Sequence, residues 1–187
     1  AGTGSLTVIG PGTLVLSGLN TYSGNTTINA GKLQGAVGGS SASSTLVLSA
    51  ATATNSVSIT DNTKGWTNAA LTASAAGVLE FSFGAVPPST TVSPLKITGA
   101  AAFTATPTVR VLVNSGLAVG TYPLMTWGST SGTAPTTANL TVTTLAFNTL
   151  AGLSVSGNTL NLVISTAQGL FLTFNSNGVP ISVTNSA

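Results

Sequence analysis

Histidine and cysteine are both absent from this 187-residue chain, and charge is scarce. Four Lys+Arg stand against two Asp+Glu, so 3% of residues are charged, where a soluble domain usually has about 25%. Each shortage removes a class of function. Without Cys there is no disulfide framework, thiolate metal site or cysteine nucleophile. The four cations, Lys32, Lys64, Lys96 and Arg110, are scattered, whereas nucleic-acid binding needs them clustered against phosphates. The sequence pI near 9.4 reflects only a net charge of +2. No apolar run approaches the roughly 20 residues of a membrane helix, so neither a nucleic-acid partner nor a membrane-spanning segment is expected.

Acid–base chemistry is equally short of parts. Asp61 and Glu80 are the two carboxylates, and they fall in separate segments. Glycosidase-type catalysis needs two carboxylates facing one bond, and a calcium-binding nonapeptide repeat needs recurring Asp. The expectation is therefore no enzyme, no catalytic residue, no metal and no cofactor. Asp61 reads as the residue that sets the turn Asp61-Asn62-Thr63-Lys64-Gly65. Glu80 reads as solvent-facing, opposite Leu79 and Phe81. A Lys–Asn isopeptide crosslink would need Lys32, Lys64 or Lys96 near Glu80 and an Asn; an intact mass low by one ammonia would reveal it. Trp66, Trp127, Tyr22 and Tyr122 are candidates for stacking on sugars or for filling a core. Two N-glycosylation patterns, at Asn25 and Asn139, read as chance matches.

What the chain has in abundance is Ser, Thr, Gly, Asn and β-branched residues, with apolar positions alternating at period two. Ser5–Ile9, Thr13–Ser17 and Thr26–Asn29 read as strands, as do Thr45–Ser49 and Ser56–Thr60. The polar run Gly35–Ser44 reads as a loop or linker. In the alanine-rich Ala69–Ala76 a short helix is conceivable. From Gly77 a strong strand places Leu79, Phe81 and Phe83 on one face. Pro87-Pro88 forces an extended loop, after which Leu95 and Ile97 point one way. Val109, Val111 and Val113 share a face within Thr108–Asn114. Tyr122–Trp127, Leu140–Leu145 and Thr159–Ser165 continue the theme, with Leu160, Leu162 and Ile164 together. Leu170–Phe174 and Val179–Val183 flank Asn177-Gly178, whose preference for positive φ predicts a terminal hairpin. The class is all-β, and the short, closely spaced strands leave open a sandwich or barrel and a solenoid.

The stretch Gly10–Leu33, GPGTLVLSGLNTYSGNTTINAGKL, carries a resemblance. Gly10, Gly12, Leu14, Leu16, Gly18, Asn20, Tyr22, Gly24, Thr26, Ile28, Gly31 and Leu33 fall on the pattern of the autotransporter-associated β-strand repeat of bacterial surface proteins. The later half more loosely resembles the regions that follow such repeats, through Gly77–Phe83, Gly120–Met125 and Asn158–Leu162. The resemblance implies a right-handed parallel β-helix exported to the cell surface or medium, at least for the N-terminal part; the alternative for the C-terminal part is an antiparallel β-sandwich or jelly roll. It implies no enzyme activity by itself. One clean copy of the repeat is present, and 187 residues are too few to hold a translocating membrane barrel as well, so a released piece or a short exported protein is expected. A start at Ala1 suits a processed exported protein.

The domain organisation expected is one exported all-β domain over residues 1–187. It divides into a repeat-containing solenoid part at 1–50 and a β-rich part at 51–187, with a C-terminal hairpin at 168–187. A solenoid exposes an apolar cross-section at each end, and scarce charge removes the usual guard on open strand edges. The functional expectation is a structural subunit of an extracellular filament or surface layer, a head-to-tail homopolymer with itself as partner. Its candidate assembly strands carry Leu6, Val8, Leu170, Leu172, Phe174, Val179 and Ile181. The alternative is a monomeric adhesin or passenger-type module binding a glycan or host surface.

Overall fold

In the computed structural model the described residues are 2–146, 148–167, 170–174 and 180–185, the last two segments as backbone. The first strands are β1 (Leu6–Val8), β2 (Thr13–Leu16), β3 (Thr26–Ile28), β4 (Gly31–Ala36), β5 (Ser40–Leu48), β6 (Ala53–Ile59), β7 (Trp66–Ala73) and β8 (Val78–Phe83). There follow β9 (Leu95–Ile97), β10 (Ala100–Phe103), β11 (Thr108–Val113), β12 (Gly120–Thr126), β13 (Ser129–Gly132) and β14 (Leu140–Val142). A 3-10 turn at Thr137–Asn139 precedes β14, and β15 (Thr149–Ser156), β16 (Thr159–Thr166), β17 (Leu170–Phe174) and β18 (Pro180–Asn185) complete the order. No α-helix occurs among the described residues.

Strands pair with the strand one circuit later, always in parallel, so the chain winds as a β-solenoid. One face stacks β1, β3, the end of β5, the end of β7, β10 and β13. A second stacks β2, β4, β6, β8, β11 and β14. A third runs from the Leu19–Ser40 bridge through the starts of β5 and β7 to β9 and β12. Side chains on each strand alternate between the interior and solvent. The parallel ladder therefore extends to residue 142, well past the repeat. Antiparallel pairing enters where β16 pairs with β12, β15 with β16 and β17 with β18. The alternative of a sandwich or jelly roll for the C-terminal part gives way to parallel coils followed by an antiparallel pair.

The circuits widen along the chain. Leu6 pairs with Thr26 and Thr26 with Leu46, steps of 20 residues; Leu46 pairs with Leu71 and Leu71 with Ala101, steps of 25 and 30. A wider circuit encloses more volume, and aromatics fill it. Trp66 and Phe81 are fully buried, and Phe103 meets Trp127 edge to face, with centroids 6.1 Å apart. A continuous core of buried apolar side chains runs from Val8 to Ile164. In it lie Leu79, Phe81 and Phe83, then Leu95 and Ile97, then Val109, Val111 and Val113, then Leu160, Leu162 and Ile164, each set grouped as period-two alternation predicts.

Two segments depart from the sequence reading. Gly35–Ser44 is not a linker: β4 runs through Ala36 and β5 starts at Ser40, leaving a tight turn in which Gly38 has φ +86°. Gly35, Gly39, Ser41 and Ser44 are interior residues. An added Cβ on Gly35 would lie 2.1 Å from the Trp66 indole, so the missing side chain is the space the ring occupies. Ala69–Ala76 is largely strand, because β7 is held by parallel ladders to β5 and, at its end, to β10.

Candidate functional site at the ends of the coil stack

Five of the six charged side chains gather into two clusters, Lys32–Glu80–Arg110 and Asp61–Lys64. Glu80 projects from the outer side of the second face but is only 3% exposed, which corrects the expectation of a solvated side chain. Lys32 Nζ lies 2.6 Å from its Oε1, Ser56 Oγ donates to the same oxygen at 2.9 Å, and Arg110 Nη1 lies 3.2 Å from Oε2. Parallel register is the cause: Gln34, Ser56, Glu80 and Arg110 form one row across β4, β6, β8 and β11. Burial pushes the Glu80 carboxyl up, but the bonds from Lys32, Ser56 and Arg110 outweigh it and hold the group below its ordinary value. Asp61 sets its turn as anticipated, accepting from the Thr63 hydroxyl at 2.6 Å and the Thr63 N–H at 2.9 Å. These bonds, with Lys64 beside them, lower its carboxyl to about 2.

Each carboxylate already accepts from hydroxyls and cations, and the two lie in separate clusters. Among the described residues no group of three acidic or imidazole side chains could hold a metal. The lysine and carboxylate of an isopeptide site do meet, at Lys32 and Glu80. Asn55, beside Ser56 on β6, is buried in register between Leu33 and Leu79, on the opposite face of the sheet from that pair. Of the two roles the sequence left open for the aromatics, Trp66, Trp127 and Tyr122 take that of filling the core. Tyr22 is tied through its hydroxyl to Thr26 at 2.7 Å and Ser41 at 3.3 Å.

The ends of the stack are different. Of the large apolar side chains that stay exposed among the described residues, Ile9, Leu14, Val15 and Leu19 lie in the first coil, Leu145, Leu150 and Val155 lie near the last, and Val119 lies in the loop before β12. Leu14 is in register with Leu33. Leu33 is fully buried, whereas Leu14 is 37% exposed because β4 is its one neighbouring strand. Leu6 is half-buried and Val8 buried on β1, whose one ladder is to β3. At the other end, Leu140, Val142, Leu145, Leu150 and Ala151 line an apolar recess of about 230 Å³.

The first coil also explains the motif. Asn20 Nδ2 donates to Gly18 O within its own turn and to Ser40 O on the next coil, both at 3.1 Å. Thr26 bonds Ser44 at 2.7 Å, and Ser44 bonds Gly24 O at 2.8 Å, so polar motif positions stitch coil to coil.

Residues 6–34 match the passenger-associated-transport-repeat family. Such repeats belong to autotransporter passenger domains, which are surface or secreted proteins. The match covers the segment on which the sequence pattern falls and no more of the chain. No curated protein and no solved structure matches the chain.

Of the other sequence-designated assembly residues, Leu170, Leu172 and Phe174 lie on β17 and Ile181 on β18. These strands pair antiparallel with each other. Val179 and the Asn177-Gly178 turn lie outside the described residues. Sequence reading missed β13 and placed β14 without noticing that, among the described residues, β11 is its one ladder partner. Period-two patterning reports which face is buried; it is silent on which strand comes last in a stack.

Proposed function

We propose that this protein is a structural subunit of an extracellular, self-assembling bacterial filament or surface layer, not an enzyme, and that its copies join head to tail by stacking and strand pairing. The observation that carries this reading is the placement of exposed apolar side chains at the two ends of the coil stack. About 500 Å² of apolar surface hidden per contact, at about 25 cal/mol per Å², gives roughly 12 kcal/mol gross. Association costs of about 4–15 kcal/mol offset much of that. Backbone hydrogen bonds between edge strands must supply the rest, as in β-augmentation. Scarce charge supports the reading, because five of the six ionic side chains, Lys32, Asp61, Lys64, Glu80 and Arg110, are taken up in ion pairs with one another. Negative-stain imaging and size-exclusion chromatography test it: regular fibres and mass far above 18.2 kDa are expected, and a monodisperse monomer overturns it.

A second reading is a monomeric passenger-type module that binds a glycan or host surface. A groove of about 510 Å³ favours it, with Pro87, Pro88, Leu117 and Tyr122 among its walls. Glycan-array binding by a monomer, lost on filling the groove, would select that reading.

A further inference from the structure

Three buried polar side chains of the third circuit, Asn55 on β6 and Trp66 and Asn68 on β7, make no side-chain hydrogen bond among the described residues. Asn55 is 1% exposed, and Trp66 and Asn68 are fully buried. On Asn55 and Asn68 both Oδ1 and Nδ2 are unpartnered; on Trp66 it is the indole Nε1. The other such atoms among the described residues, Ser93 Oγ and Trp127 Nε1, belong to later circuits. An amide buried without a partner is costly, and folded interiors satisfy nearly all such groups. Two of them in one circuit point to something bound between them.

Alternation fixes where they point. Asn55 belongs to the inward row of β6, with Ala53, Val57 and Ile59; Asn68 belongs to the inward row of β7, with Trp66, Leu71 and Ala73. The second and third faces meet at the corner between β6 and β7. The Trp66 indole reaches across that corner: it lies over Gly35, whose register partner on β6 is Val57. Away from the corner, the next inward side chain after Val57 is Asn55, and the next after Trp66 is Asn68. The two amides thus stand on facing walls of one circuit. The layers on either side are closed. Asn55 lies in register between Leu33 and Leu79, and Asn68 between Ser41 and Ile97. Ser41 Oγ is already engaged with the Tyr22 hydroxyl.

The chemistry of these atoms selects the ligand. Two amide oxygens accept, while two amide nitrogens and one indole nitrogen donate. A cation would satisfy the oxygens and repel the N–H groups; an anion would do the reverse. Water donates two hydrogen bonds and accepts two, so one molecule can bond both Oδ1 and both Nδ2 atoms, and internal waters commonly make about three such bonds. We infer that Asn55 and Asn68 hold a structural water inside the third circuit, joining the second and third faces. The location has a physical cause. This circuit is the first of 25 residues, after steps of 20. The circuit before it closes on the hydroxyls of Tyr22, Thr26, Ser41 and Ser44, and those after it close on aromatic rings. Water fills the volume that neither chemistry takes. The site is internal to one chain and is the same whether or not copies assemble.

The test has two arms. Magnetic resonance on 15N-labelled protein, in solution or on packed assemblies, reads transfer from water to side-chain amide protons. Cross-peaks at the water frequency are expected on the Nδ2–H groups of both Asn55 and Asn68. Cross-peaks between the two amides with none to water, or no water cross-peak at either, overturn the site. The second arm compares melting temperatures, read by circular dichroism, for Asn55→Leu, Asn68→Leu and the double variant. Leu keeps the size of Asn. Each single variant strands the other amide and should melt about 5 °C or more below the parent; the double variant removes the whole polar site and should melt within about 3 °C of it. Single losses that add in the double variant overturn the bridge. If a single variant does not fold, the double variant and the water cross-peaks of the parent decide.

Discussion

The repeat coils at the N-terminus and the wide coils in the middle solve one packing problem in two ways. Where the circuit is 20 residues long, hydroxyls line part of the interior, and Tyr22, Thr26, Ser41 and Ser44 bond to one another. Where it grows toward 30, Phe81, Phe103 and Trp127 fill the space. The narrow coils are thus specified by corner glycines and directional bonds, the wide ones by apolar volume. A motif can be recognised in the first case because geometry fixes particular residues; volume can be filled in many ways, so the later coils carry no recognisable repeat.

Substitutions should separate these two modes. The largest effect is expected in the wide coils: Phe81→Ala removes a fully buried ring and should lower stability by about 3–5 kcal/mol in chemical denaturation. In the narrow coils the corners should matter most. Gly31 has φ +74° and backbone oxygen at 2.0 Å from a would-be Cβ, so Gly31→Ala should cost about 2–4 kcal/mol, combining left-handed strain with a clash. Gly12→Ala, one coil earlier at the same register, should change the monomer by less than about 0.5 kcal/mol. A large loss from Gly12→Ala in the monomer would break the comparison between coils.

The hydroxyl network should show a smaller cost. Thr26→Val keeps shape but leaves the Tyr22 and Ser44 hydroxyls short of a partner, at about 1–2 kcal/mol. No change in the denaturation midpoint would mean that apolar filling alone suffices there.

The smallest effect is tied to pH. Glu80 is held below its ordinary value of 4.5 in the folded chain. Its contribution is therefore fully present above about pH 4.5 and is lost as pH falls through the folded value. The melting temperature should fall on acidification below that point, and Glu80→Gln should flatten part of the slope while leaving Lys32 and Arg110 less well paired.

The strands of the middle coils were legible because alternation of apolar and polar residues exposes a buried face: Leu79, Phe81 and Phe83 are the plainest case. Glu80 was misplaced because alternation tells which face a side chain takes, not how crowded that face is; parallel register brings Lys32, Ser56 and Arg110 onto it from strands up to 48 residues away in sequence. The run Gly35–Ser44 looked like a linker because small residues serve both loops and interiors, and only the Trp66 ring over Gly35 decides between them. At the ends, Leu6 and Val8 could be singled out as apolar strand residues near a terminus. That β13 and β14 each have one ladder partner among the described residues could not, since edge status belongs to the stack as a whole.

Fibre diffraction from aligned assemblies tests the central claim most directly. Parallel coils continued from one copy to the next place the strand spacing along the fibre axis, so a reflection at about 4.7–4.9 Å on the meridian is expected. Fibres that place this reflection on the equator, or a concentrated solution that yields no ordered assembly, would contradict it.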